Sequence, residues 1–301
     1  MSELRFDGRV AIVTGAGRGI GRGHALLLAA KGARVVVADI GGDVEGGGSS
    51  LGPADDVVAE IRAAGGEAVA CCASVSDEAG AATIVDTALN EFGRLDAVVN
   101  NAGISDPGLF ETLSVEQFRR MLDVHFFGTL FVIRAAWPHF VQEGYGRIVN
   151  TVSESMLGGI ADLTSYAAAK GAVFALTRCL ATEGGRYGIK TNAIAPRAFT
   201  RMSAGHSFAR LSDEEREASA RTYAAELNAP TVAFFAHESC LLNGEILQVG
   251  MNTVARLAVI HTKGLAKPSL TAEDVAEQLD AILDVTDARV TDSRPFFDDA
   301  A

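Results

Sequence analysis

The sequence has little cysteine, no excess of positive charge and no long apolar run. Four of its 301 residues are cysteines: Cys71, Cys72, Cys179 and Cys240. None sits in a C-x-x-C pair, and no Cys/His spacing suits zinc. A disulfide scaffold and a metal module are therefore excluded, and free thiols in a reducing compartment are expected. Met1 to Arg9 contain no apolar signal core. No apolar run approaches the roughly 18–20 residues needed to span a bilayer, so no membrane role is expected. Acidic residues (38) outnumber lysine plus arginine (26), for a net charge of −12. Nucleic acid binding needs a basic surface and is excluded as the main function. An anionic cofactor is not excluded, because local loops hold such groups. A cytoplasmic protein is the expectation.

What is present points to a large core, with 48% hydrophobic and 21% charged residues. The length suits one α/β sheet with extensions. Valine-rich runs at Val10–Thr14, Ala33–Asp39, Ala68–Ala73, Leu95–Asn100, Gly146–Val152, Ile189–Ile194 and Gly244–Val249 read as strands buried on both faces. Helical patterns separate them, among them 20–31, Asp77–Phe92, Val115–Phe140 and Ser165–Arg186. This alternation predicts a doubly wound, Rossmann-like parallel sheet of about seven strands with helices on both faces. Residues 1–252 would form that catalytic domain, with a polar lid over about 197–228. Residues 253–301 would be a C-terminal extension, packed on the domain or on a partner subunit. Within the extension, 271–284 predicts one capped helix with a stripe of Val275, Leu279 and Ile282/Leu283. Gly41–Asp55 holds six glycines and a proline and reads as a loop throughout, either a disordered insert or an ordered surface loop beside the cofactor; its composition favours the flexible form.

The first strand runs into Thr14-Gly15-Ala16-Gly17-Arg18-Gly19-Ile20-Gly21. Glycines there allow a sharp turn and let backbone N–H groups approach a pyrophosphate at a helix N-terminus. The turn follows a strand and opens a helix, and Asp39 ends the next strand, the context expected for a dinucleotide. A carboxylate at Asp39 can accept from ribose hydroxyls and would repel a 2′-phosphate, which favours NAD over NADP. Arg18 and Arg22 argue the other way.

These segments, with Asn100-Asn101-Ala102-Gly103, Ser153 and Tyr166-x₃-Lys170, resemble the signature set of the short-chain dehydrogenase/reductase family. The resemblance covers residues 8–250. It implies an oxidoreductase in which Tyr166 moves the proton of a secondary alcohol, Ser153 hydrogen-bonds the oxygen and Lys170 holds the cofactor ribose. Tyr166 and Lys170 share a helix face at i and i+4. The ammonium and the oxidised nicotinamide are expected to lower the phenol's pKa from its ordinary value near 10. Asn101, Ala102 and Gly103 would line the riboses. Pro196, Ala198, Phe199 and Thr200 would cover the nicotinamide amide, although the usual Pro-Gly is altered to Pro196-Arg197. His125 stands where most members carry an Asn of a proton relay. It could serve that relay or be structural. His24, His139, His206, His237 and His261 have no partner spacing, and surface or capping positions are expected for them.

Within the family, the chain is similar to the (3R)-3-hydroxyacyl-CoA dehydrogenase units of type 2 multifunctional enzymes. The matching stretches include Gly41-Gly42-Asp43, Asp123-Val124-His125, Arg134-Ala135-Ala136-Trp137-Pro138-His139 and His237-Glu238-Ser239-Cys240. Here Ser74 and Val75 would lie beside the adenine. The resemblance implies an acyl-CoA substrate and, with no hydratase unit in the sequence, a free-standing dehydrogenase. Arg197, Arg201, Arg210 and Lys263 are candidates for the CoA phosphates, though solvated positions are expected. The residues also leave open a hydroxysteroid or other bulky-alcohol dehydrogenase, a 3-oxoacyl carrier-protein reductase, and a catalytically dead cofactor sensor. Apolar faces on the helices 115–140 and 165–186 predict a homo-oligomer, at least a dimer.

Overall fold

The computed structural model describes residues 3–205 and 208–291, so His206 lies outside the described residues. The elements run β1 (Val10–Thr14), α1 (Gly19–Ala30), β2 (Arg34–Ala38), α2 (Gly52–Ala63), β3 (Glu67–Cys71), α3 (Glu78–Phe92), β4 (Ala97–Asn100) and α4 (Val115–Leu122). They continue with α5 (Gly128–Glu143), β5 (Gly146–Thr151), α6 (Thr164–Gly184), β6 (Ile189–Pro196), α7 (Arg201–Ala204), α8 (Asp213–Thr222), α9 (Ala229–Ala236), β7 (Ile246–Gly250) and β8 (Thr253–Leu257).

Successive strand residues face opposite sides, and the core divides accordingly. Val13, Val35 and Val37 pack with Leu28, Ile61 and Phe235 on one face. Ile12 and Val36 pack with Ile84, Ile133 and Phe140 on the other. A central strand buried on both faces has no polar side to show, which is why these runs carry no polar alternation. The sheet order is β3-β2-β1-β4-β5-β6-β7-β8. The pairings from β3 to β7 are parallel, and β8 joins β7 antiparallel. The order reverses between β1 and β4, and a crevice opens beyond the carboxyl ends of strands at such a point.

Four expectations need revision. Helix 115–140 is interrupted by a π-helical turn over Asp123–Phe127, a feature frequent at functional sites. The 41–55 segment is not loop throughout, because α2 starts at Gly52 with Pro53 in its first turn, where a missing N–H costs nothing. The extension is not simply helical. It opens with β8 and carries two short helices, α10 (Ala272–Glu277) and α11 (Leu279–Leu283), which break at Gln278, and after them Arg289–Val290 pairs antiparallel with Ile260–His261. Val275, Leu279 and Leu283 remain exposed there. Finally, His24 is neither at the surface nor a cap. It is fully buried on α1 with neither ring nitrogen bonded, and burial pushes its pKa down to about 3.

Candidate active site

The crevice at the strand reversal is a cleft of about 510 Å³, within the ordinary range for ligand sites. It runs from the glycine turn and Asp39, past Ser74, Val75 and Asn101–Gly103, to His125, Tyr166, Lys170, Pro196 and Thr200.

At its cofactor end, Gly15 has φ +63°, and a Cβ there would lie 2.8 Å from the Ala102 Cα. The turn and the Asn-Asn-Ala-Gly segment therefore pass too close for any side chain between them. Asn101 binds this contact from below, donating to the carbonyls of Thr14 and Gly15 at 2.9 and 3.1 Å. Thr14 Oγ1 accepts from the Asn101 and Ala102 amides at 3.0 and 3.1 Å. The Asp39 carboxylate accepts from Gly17 N–H at 2.8 Å and from Gly41 N–H at 2.6 Å. Each oxygen keeps a second lone pair for a ligand hydroxyl. Arg18, Gly19 and Ile20 line the cleft beside it. Gly21 does not; it packs beneath, against the Gly15 carbonyl. This cradle, narrow in backbone and closed by a carboxylate, fits the pyrophosphate and ribose of a dinucleotide.

At the other end, α6 presents Tyr166 and Lys170 one turn apart. Lys170 is 3% exposed and donates from Nζ to the Thr151 carbonyl at 2.7 Å. Burial pushes its pKa down to about 7. Ser153 lies two residues beyond β5 and caps a tight turn, its hydroxyl accepting from Ser155 N–H at 3.2 Å. Burial raises the Tyr166 phenol to about 12, and a hydrogen bond from Ser153 opposes the rise. The direction is opposite to that expected from the lysine. The ammonium is itself half-titrated by burial and sits 5.6 Å from the ring centre. Within the chain, desolvation outweighs its attraction.

His125 belongs to this end of the cleft. The π-helical turn carries it inward, 1% exposed, with its ring edge-to-face on Tyr166 at 5.1 Å. Nε2 bonds the Ile104 carbonyl at 2.9 Å, whereas Nδ1 has no partner. A Cβ on Gly103 would fall 2.4 Å from the imidazole, so the histidine requires that glycine. Burial and then the Lys170 charge hold His125 neutral, well below its ordinary range.

Several expected residues stand elsewhere. Ala198 and Phe199 do not line the cleft. The Ala198 carbonyl accepts from Ser203, and the Phe199 ring packs on Phe208 at 5.0 Å. Arg197 is engaged by Glu154, and Arg22 by Glu60. Of the four candidates for CoA phosphates, Arg201 lines the cleft, while Arg210 and Lys263 are exposed outside it.

Of the two forms open to residues 41–55, the structure shows the ordered loop beside the cleft. The glycine-rich stretch before α2 folds into a strap along the cleft. Asp43 caps its turn by accepting from Glu45 and Gly47 N–H, and the Val44 carbonyl accepts from Ser105 N–H at 3.0 Å. The signal was Asp43 among glycines, an Asx-turn pattern, which composition alone obscured.

Comparison with known proteins agrees with this geometry. A family model for short chain dehydrogenases matches residues 9–207. A short-chain type dehydrogenase/reductase of Mycobacterium tuberculosis is 44% identical over 284 residues, 94% of this chain and 96% of that one. The peroxisomal multifunctional enzyme type 2 of Mus musculus is 42% identical over 291 residues, which span 95% of this chain but 38% of the mouse protein. A crystal structure of a short chain dehydrogenase from Mycobacterium avium superposes with a TM-score of 0.79 at 36% identity, covering 92% of this chain and 95% of that one. The chain belongs to the short-chain dehydrogenase/reductase family and is an oxidoreductase.

Proposed function

We propose that the chain is an NAD-dependent dehydrogenase that oxidises a (3R)-3-hydroxyacyl-CoA to the 3-oxoacyl-CoA. The observation that carries the chemistry is that Tyr166 and Lys170 line one end of a cleft whose opposite end is the glycine turn and Asp39, with Ser153 hydrogen-bonded to Tyr166. Bound NAD supplies the hydride acceptor. Tyr166 takes the proton from the substrate hydroxyl, Ser153 fixes the oxygen by hydrogen bonding, and Lys170 positions and polarises the phenol's surroundings from its seat on Thr151. His125, neutral and bonded to Ile104, packs between the Gly103 backbone and the Tyr166 ring. The cofactor choice rests on Asp39.

The substrate reading rests on similarity to the multifunctional enzyme over 95% of this chain, since fold and triad do not set substrate. With the alcohol oxygen and the hydride acceptor both fixed, only one hand of the alcohol sends the acyl arm and the CoA arm into their own channels. The mirror image misplaces the reacting carbon, an error that can cost about 10²-fold. The test is NAD and NADP reduction with (3R)- and (3S)-3-hydroxyacyl-CoA esters and with hydroxysteroids. Reduction of NAD with the 3R esters is expected. Equal rates with both hands, or turnover of hydroxysteroids alone, would refute the substrate.

A further inference from the structure

The turn after β5 carries Ser153, and the end of β6 with the loop beyond it carries Pro196 and Thr200. They reach the cleft from different strand ends, and one carboxylate joins them. Arg197 donates from Nε to Glu154 Oε2 at 2.8 Å and from Nη2 to Oε1 at 2.6 Å. Gln248, on β7, donates its side-chain amide to the same Oε1. The Arg197 bond comes first among the causes that hold Glu154 below the usual carboxylate range, so the pair is charged. The Arg197 backbone is itself fixed. Its N–H bonds the Val249 carbonyl at 2.8 Å, and its carbonyl accepts from the fully buried Asn228 at 3.4 Å.

Glu154 is the immediate neighbour of Ser153, and Arg197 of Pro196. The two side chains are 37% and 43% exposed, and pairs this exposed add little to global stability. What a two-pronged guanidinium–carboxylate pair does supply is a defined plane and distance. We infer that Glu154 and Arg197 form a clasp that sets the separation between the Ser153 hydroxyl and the 196–200 loop. They are positioning residues, acting through Ser153 and Pro196 and not on the reacting atoms. The inference rests on the reading above, in which that turn and that loop flank one reacting centre.

The test is a double-mutant cycle on the full chain: E154A, R197M and their combination, with E154Q and R197K as conservative variants. NADH affinity is read by the fluorescence of the bound cofactor, and kcat and KM with a 3R ester. Each single replacement should weaken NADH and lower kcat about tenfold, the scale of a small misplacement. The double variant should be no worse than the worse single, since both remove the same contact. R197K keeps the charge but loses the fork and should not rescue. Melting temperatures should stay within about 2 °C of wild type. Singles that leave NADH affinity and kcat within twofold, effects that multiply in the double, or full rescue by R197K would each overturn the clasp. So would a large loss of melting temperature with unchanged kcat, which marks a structural contact only. A wild type that binds NADH but oxidises no hydroxyacyl-CoA would refute the substrate, and the clasp would then be decided by the NADH cycle.

Discussion

Replacing Lys170 with methionine should stabilise the protein at neutral pH while abolishing most of its turnover. The lysine is 3% exposed, and burial takes its pKa from 10.5 to about 7. In the unfolded chain it stays protonated until about pH 10.4. Between about pH 7 and 10.5 the unfolded state therefore binds one more proton than the folded state, and stability rises with pH across that window. Below pH 7 the penalty is present in full. The difference of about 3.5 pH units is worth about 5 kcal/mol. Methionine removes that penalty but leaves the Thr151 carbonyl, now bonded at 2.7 Å, without its donor. An orphaned buried acceptor costs about 1–3 kcal/mol. The net gain is about 2–4 kcal/mol, or roughly 4–8 °C for a domain of this size. Calorimetry without cofactor at pH 6, 8 and 10 measures it. The gain should be largest at pH 6 and should shrink towards pH 10.5. A variant no more stable than wild type at pH 6, or a difference that does not change with pH, would refute the reasoning.

Tyr166→Phe should lower kcat by about 10²–10⁴-fold, the range for a positioned acid/base, with NADH affinity retained; near-normal turnover would remove Tyr166 from the mechanism. Asp39→Ala should weaken NAD binding and narrow the preference over NADP, measured as the ratio of kcat/KM for the two, because it removes the carboxylate that Gly17 and Gly41 orient. A wild type that already favours NADP would contradict this. Light scattering at micromolar concentration should find at least a dimer, since Phe127 is 37% exposed on the helical run that also carries Phe131, and the exposed Val115 lies on the same run; a monomer would contradict that.

The strands and the cleft were legible because they depend on short-range pattern. β1 through β7 lie within a few residues of the valine-rich runs that announced them, since full burial on both faces leaves an unbroken apolar run. The glycine turn, Asp39, Tyr166 and Lys170 meet in one cleft because strand order alone brings their strand ends together. What could not be read has two sources. β8 pairs antiparallel with β7 across the Met251-Asn252 turn, but it has the exposed pattern of an edge strand, so no apolar run announced it. The strap before α2 is tied to the body by the Ser105 N–H bond to the Val44 carbonyl among others, and composition does not encode a partner sixty residues away.

The site residues divide along the same line. A motif reports which side chains can meet, whereas their protonation is set by how much water the fold removes from each. Tyr166 and Lys170, read as a pair, suggested a phenol pulled down by an ammonium. Folded, each is driven towards its neutral form by burial, the phenol up to about 12 and the amine down to about 7. Two groups that both resist charge in the folded chain form a site that responds to added charge. A cationic ring at the Pro196 end would favour the phenolate, and it would do so most strongly where water is scarce. His125 fits this arrangement, since a neutral imidazole bonded to Ile104 adds a dipole to the site and no competing charge.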